Sequence, residues 1–297
     1  MKFRWAALAA IALTCGCFIQ PGAAQADNGD VLETQLTRLF EEQRYAEATP
    51  YARLFLVDTQ KTFGPNHIET AKALTILGGL EFFQDHPAVG KPMFERALAI
   101  REATLGKIHP LVADTITSLA TIAATMGKPG EAEPLYQRAL AVNMACFGGQ
   151  DPRVADAMIG LATFYEGQNR LSEAEPLFDR VLVIREAAFG ENHPKVAEIL
   201  NVLSVLYDAQ GRRGDDERVS KRALAIREAT LGSTHPDVAE SLNNLAILYV
   251  KSKRYAEAAP LLKRALAIRE AALPASDPAI AKTRTTLAAL DQVWPPR

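Results

Sequence analysis

Apolar and polar positions along this chain of 297 residues recur with helical spacing. Between residues 236 and 252 the apolar side chains fall three or four positions apart, at Val238, Leu242, Leu245 and Tyr249. That spacing places them on one face of a helix and differs from the alternation of a strand. A short polar turn follows, and a second helix is predicted over about residues 256–272. The pattern therefore predicts a pair of helices.

The same pattern returns every 42 residues. Several independent series keep one phase, including His109, Asp151, His193, His235 and Asp277 (each followed by proline), and Gly64, Gly106, Gly148, Gly190 and Gly232. One helix pair cannot bury its apolar face alone, so repeated pairs must stack on one another. The sequence predicts an all-α fold of about six helix pairs, closed by a capping helix over residues 278–293.

Residues at fixed places in the repeat mark the ends of the helices. The His-Pro or Asp-Pro dipeptide opens the first helix, because Asp can cap exposed N–H groups and proline suits the first helical position. A second proline, at Pro260 and its equivalents, is expected near the first turn of the second helix. Gly232 and its equivalents are expected to end the second helix, where glycine tolerates a left-handed backbone.

The first 26 residues differ from the rest. Lys2 and Arg4 precede an apolar run that is broken by Pro21, and Ala24 and Ala26 occupy the small-residue positions of a signal-peptidase site. This is the layout of a secretory signal, shorter than a membrane span. We predict a signal peptide over 1–26, cleavage after Ala26, and a repeat domain over 27–297 that is periplasmic or secreted from a bacterium. A buried first helix and a lipid anchor at Cys15 or Cys17 are the alternatives.

Composition narrows the classes of function. The chain is 48% hydrophobic with a formal charge of -2, which favours an extended folded body and argues against nucleic-acid binding. No transmembrane span is expected in the mature chain. After cleavage Cys146 is the remaining cysteine, so no internal disulfide is expected.

The repeat resembles a known family. Leu245-Ala246, Tyr249, Tyr255, Ala258, Leu262 and Ala265 match the tetratricopeptide repeat pattern. The 42-residue period, the run from Arg264 to Glu270 and the His-Pro dipeptide resemble the kinesin light chain subclass. The resemblance covers about residues 28–293. It implies a right-handed α-solenoid (superhelix) of antiparallel helix pairs with a concave groove that binds protein or peptide.

Recurring polar residues could suggest chemistry, and most have a structural explanation. The histidines lie one repeat apart, too far to share a metal ion. Two arginine series, Arg96 with its equivalents and Arg101 with its equivalents, could form an anion stripe, but local ion pairs on a solvated face are favoured. Cys146 has no nearby histidine in its repeat and is expected to be idle. We therefore predict no catalytic, cofactor-binding or metal-binding residues, and an enzyme is disfavoured.

What remains is the groove that the resemblance implies. Its candidate residues lie on the first helices of the pairs: Asp114, Asp156, Glu198, Asn201, Glu240, Asn243 and Asn244. Asparagine can bond an extended backbone with both donor and acceptor. The acids would favour a basic or N-terminal segment by steering. A merely solvated acidic face is the alternative, and the family's carboxylate-binding residue set is not matched.

Two functions follow from these observations. The first is an exported scaffold that binds a partner protein or peptide in the concave groove. The second is a structural assembly factor of an envelope complex that uses the convex face or the end caps. The fifth repeat departs from the pattern at residues 211–216, which is compatible with a hinge, a partner contact or drift. The sequence leaves the partner, the pathway and the oligomeric state open.

Overall fold

The computed structural model describes residues 28–294, which form thirteen α-helices joined by short turns and no strand. The predicted signal peptide, its cleavage site after Ala26 and the lipid alternative at Cys15 or Cys17 lie outside the described residues. The fold class predicted from the sequence, an all-α stack of antiparallel helix pairs, is confirmed. None of the helices within the described range is long and apolar enough to cross a membrane.

The helices fall into two compact units, of which the first ends at Arg170 and the second begins at Leu171. The first unit contains α1 (Asn28–Glu41), α2 (Tyr45–Phe63), α3 (Ile68–Phe83), α4 (Pro87–Leu105), α5 (Pro110–Thr125), α6 (Pro129–Phe147) and α7 (Pro152–Gly167). The second contains α8 (Leu171–Phe189), α9 (Pro194–Ala209), α10 (Arg213–Leu231), α11 (Pro236–Lys251), α12 (Tyr255–Ala272) and α13 (Pro278–Val293). Within each unit, the helices pack mainly against their neighbours along the chain.

The first helices from α3 onward, and α13, each start at a side-chain cap. His109 Nδ1 accepts a hydrogen bond from the backbone N–H of Leu111 at 3.1 Å, and Asp151 Oδ1 accepts the equivalent bond from Arg153 at 2.9 Å. His67, His193, His235 and Asp277 cap their helices in the same way. The structural role predicted for the recurring histidines is confirmed, because an acceptor at this position satisfies an otherwise orphaned N–H group.

Glycine follows the second helices from α2 to α10, whereas Leu273 follows α12. Gly106 follows α4 with φ 81 and ψ 169, and Gly232 follows α10 with φ 85 and ψ 156. The predicted positive φ is confirmed, but ψ lies far from that of a left-handed helix. This combination is nearly restricted to glycine.

The prolines of the second helices lie slightly deeper than expected. Pro260 is the sixth residue of α12 and Pro92 is the sixth residue of α4. They therefore occupy the second turn, where each removes one helical hydrogen bond. The carbonyls that lose these bonds belong to Ala256 and Ala88, and both residues are exposed. Water can therefore replace the missing bond.

The core lies between consecutive helices. In α3, residues 73–82 are buried without a break, so this first helix is enclosed on nearly every side. The second helices keep a broad exposed face, which includes Met144 on α6 and Val183 on α8. A first helix that is enclosed in this way leaves only a narrow strip of side chains for a partner to contact.

Candidate functional site

We define the first-helix strips as the exposed or partly exposed residues of the first helices. On the first unit they include Asp114 and Thr117 of α5 and Asp156 of α7. On the second unit they include Glu198, Asn201 and Val202 of α9 and Glu240 and Asn244 of α11. Six of the seven groove residues predicted from the sequence belong to these strips.

In the first unit the two candidate acids differ in exposure. Asp114 is half-buried, and burial raises the pKa of its carboxyl to about 6, although the positive charge of Arg101 opposes the shift. Asp156 is exposed. Because a carboxyl with a raised pKa is neutral for part of the time near neutral pH, Asp114 contributes less negative charge than the sequence indicates.

In the second unit each candidate acid is paired with a buried arginine. Arg185 Nη1 lies 3.2 Å from Glu198 Oε2, and Arg227 Nη1 lies 3.1 Å from Glu240 Oε2. The glutamates remain more than half exposed while the arginines lie beneath them. The buried arginines therefore neutralise part of the negative charge of this strip.

The three candidate asparagines have different environments. Asn201 is partly exposed, and with its amide turned so that the oxygen faces Arg227, that oxygen accepts from Nη2 at 2.9 Å. Asn244 is partly exposed and makes no hydrogen bond to another residue that the structure describes. Asn243 is only 3% exposed, and its Oδ1 has no hydrogen-bond partner. Asn201 and Asn244 are thus accessible, whereas Asn243 lies beneath the strip.

The arginines of the Arg101 series are buried, so the solvated face predicted for them is wrong. Each reaches the start of the next first helix and donates to a backbone carbonyl ten residues on. The acceptors of Arg101, Arg185, Arg227 and Arg269 are Leu111, Lys195, Asp237 and Ala279. Their guanidinium groups thus hydrogen-bond to backbone carbonyls at the start of the next helix. Sequence periodicity alone does not reveal this contact.

Three arginines of the Arg96 series make ion pairs, as predicted, but with the preceding repeat. Arg222 lies 2.6 Å from Glu186, and Arg264 lies 2.5 Å from Glu228. Arg138 pairs with Glu102 in the same way. These contacts join neighbouring second helices and leave little free positive charge for an anion stripe.

A third recurring cluster also joins neighbouring repeats. Arg254 stacks over the Tyr249 ring at 4.2 Å and reaches Glu217 of the preceding second helix at 2.5 Å. The Tyr249 hydroxyl donates to the same carboxylate at 3.1 Å, and these bonds lower the pKa of Glu217 to about 2. Most recurring polar residues therefore hold repeats together.

Two lysines occupy the acid position and were missed in the sequence. Lys72 stands one repeat before Asp114, and Lys282 stands one repeat after Glu240. Lys72 pairs with Glu33, whereas Lys282 on α13 is exposed. Extending the acid series by one repeat in each direction would have found both. Elsewhere in residues 28–294, no three His, Cys, Asp or Glu side chains form a group that could hold a metal ion.

Comparison with known proteins bears on the identity of the repeat. A family model described as tetratricopeptide repeat matches residues 88–145, 153–215 and 217–271, and a second model of the same description matches 196–237. No curated protein sequence gives a significant match.

Several solved structures share the fold. BtubC (BKLC) from P. vanneervenii is 23% identical with a TM-score of 0.63, covering 81% of this chain and 91% of that one. Putative kinesin light chain TPR-like repeats from Podospora anserina are 24% identical with a TM-score of 0.61, covering 68% of this chain and 96% of theirs. PilW, described as a type IV pilus biogenesis factor, is 15% identical with a TM-score of 0.58, covering 87% and 100%. Structures with kinesin light chain-like repeats are thus among those that share this fold.

Proposed function

Because this chain belongs to the tetratricopeptide repeat family, whose fold serves protein–protein interaction, we propose that it is an exported scaffold that binds a partner protein or peptide along its first-helix strips. One observation carries the proposal. The recurring polar residues of the second helices and turns are used in contacts between repeats, whereas Asn244 is partly exposed and makes no hydrogen bond to a described residue. A polar side chain held on a rigid helix without an internal role is suited to a partner.

The charge of the partner is the finer part of the proposal. A basic segment would be attracted by the exposed carboxylates of Asp156, Glu198 and Glu240. The arginines beneath Glu198 and Glu240 weaken that attraction. Electrostatic steering would therefore raise the association rate of the partner more than its affinity. Reversing those glutamates would also place a lysine beside a buried arginine and damage the fold. Substitutions at strip positions that form no ion pair with a buried arginine therefore give a cleaner test.

The test is affinity capture from the exported fraction with matched variants. Thr117→Arg with Asn244→Arg adds two charges on the first-helix strips, and Met144→Arg with Val183→Arg adds the same two charges on exposed positions of second helices. We expect the partner to be lost with the first pair of substitutions and retained with the second. Equal capture by both variants would contradict binding along the strips.

Export has its own test. Sequencing the amino terminus of the mature protein is expected to start at Asp27, as the small residues at Ala24 and Ala26 predict. A lipid-modified cysteine at the new terminus would support the anchored alternative. A chain that keeps Met1 and stays in the cytoplasm would refute export.

A second candidate, assembly through an end of the stack, is favoured by the surface of α2. Leu54 and Val57 are exposed by 58% and 61%, and Tyr51 is exposed one turn before Leu54. In the following repeats the position of Leu54 holds Arg96 and its equivalents. Apolar side chains at an exposed place where the repeat otherwise has arginine are suited to a contact.

This candidate predicts a different outcome in the same capture experiment. Leu54→Arg with Val57→Ala gives α2 the residues that α4 has at these positions, Arg96 and Ala99. Loss of the partner with this variant, and retention with the strip variant, would favour the end surface over the strips.

A further inference from the structure

The second unit contains three buried arginines at one repeat position. Arg185, Arg227 and Arg269 are each exposed by 8–9%. Each Nη1 donates to a carbonyl at the start of the next first helix, at 2.8 Å to Lys195, 2.9 Å to Asp237 and 3.2 Å to Ala279. The three guanidinium groups are therefore held in the same way, and their surroundings can be compared directly.

The first two arginines have a carboxylate thirteen residues further on, and the third does not. Glu198 lies 3.2 Å from Arg185 and Glu240 lies 3.1 Å from Arg227. The equivalent of these glutamates beside Arg269 is Lys282. Two positive side chains thus stand where the preceding repeats have an ion pair.

Arg269 lacks a counter-charge within the part of the chain that the structure describes. Its side-chain bond goes to the hydroxyl of Thr283, and no described carboxylate lies within ion-pair distance of it. Burial lowers the pKa of Arg269, with the more distant Glu240 and Asp277 opposing the shift. A buried charge without a partner is unfavourable, so an added carboxylate would be stabilising here.

Asn243 is a second incomplete group at the same repeat position. It is the equivalent of Asn201, whose amide bonds to Arg227. Asn243 is 3% exposed with no partner for Oδ1. Since rotation of an amide can present either its oxygen or its NH₂ group, Asn243 can accept from Arg269 or donate to an anion beside it.

We propose that Arg269 and Lys282, with Asn243 beneath them, bind a carboxylate side chain from an acidic segment of the partner. The carboxylate would take the place that Glu198 and Glu240 take in the two preceding repeats. The two preceding repeats thus indicate the ligand, because each of them holds a carboxylate against the equivalent arginine. Charge-assisted bonds from a guanidinium and an ammonium are among the stronger polar contacts. This inference rests on the proposed function only in that the partner is a protein lying on the strips.

The test uses fluorescence polarisation with labelled hexapeptides of glutamate and glutamine. We expect the full-length protein to bind hexaglutamate at least about tenfold more tightly than hexaglutamine, a ratio that one retained ion pair supplies. Lys282→Glu restores an internal carboxylate and is expected to weaken hexaglutamate binding at least about tenfold. Lys263→Glu makes the same charge change on an exposed position of α12 and is expected to change binding less than about twofold.

A second readout separates the site from a general charge effect. Lys282→Glu is expected to raise the melting temperature above that of Lys263→Glu, because it supplies the missing partner of Arg269. Equal losses of binding in the two variants, or no gain in melting temperature with Lys282→Glu, would overturn the inference. So would hexaglutamate binding no tighter than hexaglutamine. If capture of a protein partner still depends on Thr117 and Asn244 in that case, the proposed function stands and only the carboxylate site fails.

Discussion

The close approach of first and second helices is built differently in the second and the fifth pairs. In the second pair, Gly78 of α3 faces Gly90 of α4, and a Cβ added at Gly90 would lie 2.5 Å from the Gly78 carbonyl oxygen. In the fifth pair, Ser204 of α9 and Asp216 of α10 occupy the same two places. One contact excludes every side chain, and the other buries a carboxyl group.

A third position explains the difference. Where the second pair has the buried ring of Phe94, the fifth has Ser220. The Asp216 carboxylate fills the space that the missing ring leaves, and it accepts hydrogen bonds from Ser204 at 2.5 Å and from Ser220 at 3.0 Å. Three small or medium side chains in the fifth pair thus fill the space that one ring fills in the second pair, and the chemistry of the contact changes from apolar to polar.

The largest expected loss of stability comes from removing the large side chain of this contact without enlarging the side chains at its other two positions. In the sixth pair the three places hold Ala246, Ala258 and Leu262, and Leu262 is fully buried. Leu262→Ser is expected to lower the free energy of unfolding by about 3 kcal/mol, because it leaves a cavity and an unpaired hydroxyl. Urea unfolding would measure this.

The same site offers a rescue that tests whether the polar side chains can fill that space. Adding Ala246→Ser and Ala258→Asp to Leu262→Ser rebuilds the cluster of the fifth pair, and the triple variant is expected to be more stable than Leu262→Ser alone. Leu231→Ser, on an exposed side chain, serves as the control. A triple variant less stable than the single one would contradict the account.

A smaller loss is expected from adding volume to the second pair. Gly90→Ala is expected to cost about 2 kcal/mol, since the helices must separate to admit the methyl group. Gly130→Ala is the control, because a Cβ at Gly130 meets nothing within 4 Å, and its expected effect is zero or a gain of up to about 1 kcal/mol. Equal melting temperatures for the two variants would show that the contact is not tight.

Converting the fifth pair to the apolar version is expected to stabilise it. Ser204→Ala, Asp216→Ala and Ser220→Leu together give this pair the residues of the sixth. We expect a gain of about 1–2 kcal/mol at neutral pH, as for other buried polar clusters replaced by packed apolar groups. A loss of stability would mean that the serine and aspartate bonds outweigh the desolvation of the carboxyl.

The smallest effect is the pH dependence of that gain. Burial raises the pKa of Asp216, while hydrogen bonds from Ser204 and Ser220 oppose the shift. A carboxyl with a raised folded-state pKa holds its proton more tightly when folded, so it penalises folding above its folded pKa and less as the pH falls toward its unfolded pKa. The advantage of the apolar triple variant should therefore be larger at pH 8 than at pH 4. An advantage that grows on acidification would contradict the predicted sign.

The sequence predicted the repeat, the helix ends and the caps, because these depend on local residues whose meaning recurs in each copy. The capping histidines and the helix-ending glycines are such features. The burial of Arg227 could not be predicted in the same way, since its partners lie on the next helix and Arg-Glu pairs also occur on exposed faces. The spacing of thirteen residues between that arginine and Glu240 was present in the sequence, but only the helix packing gives it meaning.

The fifth pair illustrates the same limit for the candidate site. Asp216 lies in the segment 211–216 that departs from the repeat pattern, but the sequence did not indicate that its carboxyl is buried. Its burial follows from the loss of a large side chain at Ser220, which is four residues away on the same helix. The groove residues were likewise placed on the correct helices, but the depth of Asn243 depends on packing that periodicity does not specify.

The most direct test of the account is hydrogen–deuterium exchange of the protein with and without its captured partner. Binding is assigned to the first-helix strips and to the carboxylate site of Arg269 and Lys282, and internal stabilisation to the polar residues of the other second helices. Slower exchange on binding is expected in peptides from α5, α7, α9, α11 and α13, and little change in α6, α8 and α10. Protection confined to the second helices, or to α1 and α2, would contradict this assignment.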